Sequence, residues 1–172
     1  MRILSGSILL FALACSFTAS ASEPQSLSAL IDSTAFVSDD KGITLVPIGD
    51  AGGSFSLSAI TQGASAYPPP KTPVDRLSII CGGMVAGKPT KLDSKWFSRA
   101  ECDVRFVKGV KMMGGDPDAE YKLDKQHAGN VFEVESAAGK RYSGRFSFRL
   151  VDAKGTEHLV TDGKFVIEDR QL

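Results

Sequence analysis

The chain is poor in the residues that most often do chemistry. It has two histidines, one tryptophan and three cysteines in 172 residues. Asn130 is the only asparagine, and Val131-Phe132 follows it, so there is no glycosylation sequon. Two histidines and no CxxC spacing leave a structural zinc site short of ligands. Neither sign of charge is in excess, with 20 Lys+Arg against 20 Asp+Glu. That balance argues against a nucleic-acid partner, which needs a basic stripe, and against a polybasic membrane-surface protein. Beyond the first 21 residues no segment of ten or more shows helical periodicity, so no transmembrane segment is expected in the mature chain.

What is present begins at the N-terminus. Met1-Arg2 supplies a positive charge, Ile8 to Ala14 a short apolar run, and Ala19-Ser20-Ala21 the small residues before a cleavage point. This three-part build is that of a Sec-type signal peptide over 1–21. Cleavage leaves 172 − 21 = 151 residues starting at Ser22, enough for one domain with a sizeable core. The expected location is periplasmic or secreted, from a bacterial cell. Phe11-Ala12-Leu13-Ala14-Cys15 also loosely matches a lipobox, which keeps a lipid anchor at Cys15 as the minority alternative.

With Cys15 in the signal, Cys81 and Cys102 remain. Two cysteines in an exported chain pair in one way, and an oxidising compartment favours the bond. Leu77, Ile79 and Cys81 share one strand face; Cys102, Val104 and Phe106 share another. Both cysteines therefore point inward, where a disulfide between neighbouring strands or facing sheets forms.

The pattern along the chain is β. Residues 22–33 read as a polar arm or one helical turn. From Thr34 the period is two, with Ser54-Phe55-Ser56-Leu57-Ser58 and Arg145-Phe146-Ser147-Phe148-Arg149-Leu150 the clearest strands. Turns fall at Gly42, at Gly139 and at Asp152-Ala153-Lys154-Gly155. Tyr67 to Pro73 holds four prolines in seven residues, so 63–75 is expected to be a stiff connector inside one β domain over 34–172. Lys95-Trp96-Phe97 is expected to cover the core as a loop or helical turn. The fold class is all-β: an antiparallel sandwich or small barrel of eight or nine strands with one disulfide.

Four constellations invite a chemical reading. Gly49-Asp50-Ala51-Gly52-Gly53 resembles a serine-protease nucleophile loop, but alanine stands where the serine must be. His158 has Asp152, Glu157 and Asp162 nearby, half of a general-base dyad, and on the alternation it sits at the sheet surface. Asp116, Asp118 and Glu120 offer oxygens to Ca²⁺ without EF-hand spacing, and read as an acidic surface loop. Met112-Met113 offers soft ligands for Cu(I) but fits a core edge better. No metal, cofactor or catalytic residue is assigned. Arg141, Tyr142 and Arg145 cluster near one hairpin and are residue types that interfaces favour, which makes them the expected interaction surface. Ser136 to Tyr142 resembles, over seven residues, the inhibitory loop of exported all-β lysozyme inhibitors, and departs from it at most positions. The expectation is thus a non-enzymatic binding or accessory protein of the cell envelope with an unidentified protein partner. The alternatives are a small periplasmic hydrolase using His158, or an inhibitor- or immunity-type protein.

Overall fold

A computed structural model describes residues 24–48, 53–68, 73–83, 87–99, 101–111 and 115–170. The expected signal segment with Cys15, four residues of the glycine-rich loop (49–52) and Met112-Met113 lie outside the described residues. In chain order the described elements are β1 (Ser26–Ile31), β2 (Thr34–Ser38), a 3-10 turn (Asp40–Gly42), β3 (Ile43–Ile48), β4 (Ser54–Ile60) and β5 (Val74–Cys81). Then follow β6 (Thr90–Leu92), α1 (Ser94–Phe97), β7 (Cys102–Val110), β8 (Ala119–Leu123), β9 (Val131–Ala138), β10 (Arg141–Val151) and β11 (Glu157–Glu168). The chain is all-β apart from that one helical turn, as the periodicity predicts.

All pairings are antiparallel, in the order β2-β1-β11-β10-β8-β7-β5-β4-β3, with β9 on β10 and β6 on β9. The sheet curls into a nearly closed barrel. Strand β10 makes one corner by changing partner: Arg141 to Ser147 lie along β9, while Leu150 and Val151 lie along β8. The other corner is the run of chain from β2 through the 3-10 turn into β3. Gln25, 3% exposed, fastens it: its N–H donates to Asp40 Oδ1 at 2.9 Å, and its Oε1 accepts from Glu168 N at 2.8 Å. Strand β3 has a partner on one side only, and Pro47 stands in it, where the missing N–H costs little.

Alternation fills the inside. Leu57, Leu77, Ile79, Val104, Leu150 and Val160 are each 0–1% exposed. Aromatic rings run across the barrel from Phe55 to Phe132 (5.0 Å between centroids), Phe132 to Phe165 (5.1 Å), Phe165 to Phe146 (6.5 Å), Phe146 to Phe148 (5.6 Å) and Phe148 to Phe97 of α1 (5.7 Å). The Lys95-Trp96-Phe97 expectation holds: Asp93 caps α1 by accepting from Lys95 N, and Phe97 is fully buried. Cys81 and Cys102 stand directly opposite each other on β5 and β7, bonded, with their Cα atoms 4.1 Å apart.

Two expectations need correction. Residues 26–31, placed in a polar arm, form β1, an internal strand between β11 and β2. Its inward row is Leu27, Ala29 and Ile31, all buried; the small Ala29 in that row and the apolar Leu30 on the opposite one blur the alternation. A two-residue turn, Asp32-Ser33, joins it to β2 with φ of 48° and 66°, the geometry of a type I′ hairpin that short polar residues tolerate. The proline-rich connector ends earlier than 75, because Val74 and Asp75 already belong to β5.

Candidate functional site

Two polar constellations stand out, one closed and one open. The closed one surrounds His158. It occupies the inward row at the start of β11, because Leu159 points outward (50% exposed) and Val160 inward. This corrects the expected surface position. The cause is Asp32: its N–H donates to Leu159 O and its Oδ1 accepts from Leu159 N, both at 2.9 Å. That pins the register from 127 residues away. Asp32 Oδ2 lies 2.6 Å from His158 Nδ1, and Tyr121 of β8 stacks on the imidazole at 3.6 Å with the planes 6° apart. On the other side Asp152 Oδ2 is 3.9 Å from Nε2.

Of the acids expected beside His158, only Asp152 is there. Glu157 pairs with Arg149 at 2.8 Å, and Asp162 sits on a distant bulge. Asp32 lay in the presumed arm, and nothing local in the sequence links it to position 158. Partial burial pushes the Asp32 carboxyl up, but the His158 ring, the Leu159 N–H and the Lys108 charge outweigh it and hold the carboxyl below its usual value. Asp152 is held low first by the Thr156 N–H, then by Lys154 N–H and the His158 charge. Nε2 is buried without a hydrogen-bond partner. A general base must offer that nitrogen to substrate, and here it is walled in. The cluster ties the β1–β2 and β10–β11 turns to β8.

This tie has a measurable signature. Asp32→Asn should destabilise the protein to urea near neutral pH. A depressed carboxyl contributes stability above its unfolded value of 3.8 and loses it as pH falls through the folded value. The gap between wild type and variant should therefore shrink below about pH 4. A gap of the same size at neutral and acid pH would remove the carboxylate–imidazole contact as its origin.

The open constellation lies on the outer face of β6, β9, β10 and β11. Along β10, Arg141, Ser143, Arg145, Ser147 and Arg149 face out, while Tyr142, Phe146, Phe148 and Leu150 face in. The expected Arg141–Tyr142–Arg145 patch is thereby split. Tyr142 is 6% exposed and belongs to the core, because adjacent strand residues point to opposite faces. Arg141 reaches back to Pro24 O at 3.5 Å. Arg145 alone of the three lines a groove of about 610 Å³.

Cross-strand register builds that groove. Lys91 lies opposite Glu133, Glu133 opposite Arg145, and Arg145 opposite Lys164. Arg145 turns to the acids on its other side, at 2.8 Å from Glu133 and 3.0 Å from Glu135. Lys91 and Lys164 have no ion-pair partner among the described residues. One wall is a bulge in β11: Ser147 faces both Thr161 and Asp162, and Asp162 takes a φ of 53°. Gly163 follows because a Cβ there would lie 2.4 Å from the Phe146 ring. Ser147 Oγ donates to Gly129 O across the groove at 3.2 Å.

The acidic loop behaves as a surface loop. Asp118 faces Lys111 at 3.8 Å and Glu120 bonds Arg105 at 3.2 Å, and no three metal-ligating side chains converge among the described residues. The seven residues 136–142 form the end of β9, a two-residue turn with Gly139 at φ 60°, and the start of β10. No family model, curated protein or solved structure matches this chain.

Proposed function

We propose that this chain is an exported, non-enzymatic binding module of a bacterial envelope, and that its working surface is the outer groove on β6, β9, β10 and β11. The observation that carries the reading is the placing of Arg145 directly opposite Lys164. Like charges across an antiparallel pair are locally destabilising. A chain built for stability alone gains nothing from this pair, nor from a non-glycine residue at positive φ on the same groove wall. Two further features agree. Buried side chains, including a row of aromatic rings, occupy the barrel interior, and the His158 nitrogen that a hydrolase needs is enclosed.

Export is tested by mass spectrometry of the mature N-terminus. Ser22 is the expected first residue; a diacylated Cys15 would replace a soluble protein with an anchored one. Binding is tested by affinity capture from periplasmic extract with wild type and Arg145→Ala/Lys164→Glu. A ligand held by wild type and lost by the variant carries the proposal. Equal recovery of everything on both proteins ends it. The variant keeps its fold on this reading, so its melting temperature should stay within about 2 °C, as for other surface changes.

A further inference from the structure

We infer, on the reading that the groove is the binding face, that its ligand is an uncharged, hydroxyl-rich oligosaccharide. The first argument is charge. Lys91, Arg145 and Lys164 line the groove together with Asp93, Glu133 and Asp162. Three cations against three anions provide no field that would gather a polyanion or a polycation.

The second argument is how the charges are held. The Arg145 fork is fixed by Glu133 and Glu135. To reach Arg145 an incoming carboxylate would have to displace a glutamate, which leaves it only the separate ammonium groups of Lys91 and Lys164. A hydroxyl would not, because it donates to a carboxylate oxygen and accepts from an ammonium or guanidinium at the same time. The row Lys91–Glu133–Arg145–Lys164 sets donor, acceptor, donor and donor on four successive strands. At strand spacing it extends roughly 14 Å, long enough for several hydroxyl-bearing units. Asp162, whose carboxylate has no hydrogen-bond partner among the described residues, adds an acceptor on the bulge side.

The third argument concerns the floor. Over Phe132–Val134, Gly144–Phe146 and Lys164–Phe165 the strands are paired on both sides, so among the described strands of the groove an extended peptide could add only to the outer edge of β6 and not lie along the floor. The one aromatic residue lining the groove among the described residues, Phe146, is 2% exposed, so a proline-rich segment finds no open aromatic face to dock on. Polar side chains set the directional contacts of this groove, at a volume usual for small-ligand sites.

The test is calorimetry of the mature protein with maltohexaose, cellohexaose and chitohexaose, alongside hexagalacturonate and hexaglutamate, at low and high salt. At least one neutral probe should bind, and its affinity should change less than about twofold with salt, since no net charge is neutralised. Lys164→Met and Lys91→Met should each weaken it about tenfold, the loss of a charge-assisted hydrogen bond. Binding of no neutral probe overturns the inference. So does binding shared with hexaglutamate and steeply weakened by salt. If a charged probe binds and the groove variants abolish that binding, the groove remains the binding face and only the saccharide assignment falls. If a probe binds and the groove variants leave it unchanged, both fall.

Discussion

Protein carrying Cys81→Ala/Cys102→Ala should unfold about 3 kcal/mol more easily than wild type, a drop in melting temperature of roughly 6–12 °C. The bond closes a loop with a sequence separation of 21, and the expected size is that of the loop entropy returned to the unfolded chain. Both cysteines lie in the core, 0% and 2% exposed, so alanine leaves no buried polar group behind. The bond spans a directly opposed pair on β5 and β7, so its loss should not change the register. The urea midpoint should fall while the slope of the transition changes little. Intact wild type should weigh about 2 Da less than its reduced form and show no thiol after denaturation. Two titratable thiols in protein purified without reductant, or an unchanged midpoint in the double variant, would overturn this account.

Phe132→Ala should cost more, about 3–5 kcal/mol. Phe132 is the link in the aromatic row. Its ring stacks on Phe55 of β4 on one side and on Phe165 of β11 on the other, at 5.0 and 5.1 Å, and it is 1% exposed. These two strands lie far apart in the sheet order, so the ring joins opposite walls of the barrel. Alanine leaves a cavity that neighbouring strands, held by their ladders, cannot close. Phe132→Leu keeps much of the volume and should recover about half of the loss. Val37→Ala, at an outward position 43% exposed, should stay within about 0.5 kcal/mol. Thermal denaturation of the three variants decides it. Similar losses for Phe132→Ala and Val37→Ala would mean that the ring does not bridge the walls.

Strand after strand was legible where alternation is strong and turn residues flank it. Phe146, Phe148 and Leu150 face in and Arg145, Ser147 and Arg149 face out, as read. The inward cysteines and the Asp152–Gly155 turn were legible for the same reason, since each depends on neighbours two to four residues away. Strand β1 escaped because the small Ala29 and the apolar Leu30 on the opposite row blur the contrast, although Leu27, Ala29 and Ile31 do alternate. Tyr142 is of a type that interfaces favour, but its position decides its place: the alternation that buries Phe146 buries Tyr142 too.

The sequence by itself determined the β class, the inward facing of Cys81 and Cys102, the turn positions and most of the in–out pattern, because these follow from backbone period and local turn chemistry. Tertiary structure alone decided that Asp32 meets His158, that Glu133 holds Arg145, and that Arg145 and Lys164 stand side by side at a groove. Those contacts join residues that the chain separates by 12 to 126 positions. They depend on strand order, on register and on where β10 changes partner, and no period in the chain encodes which distant row becomes a neighbour.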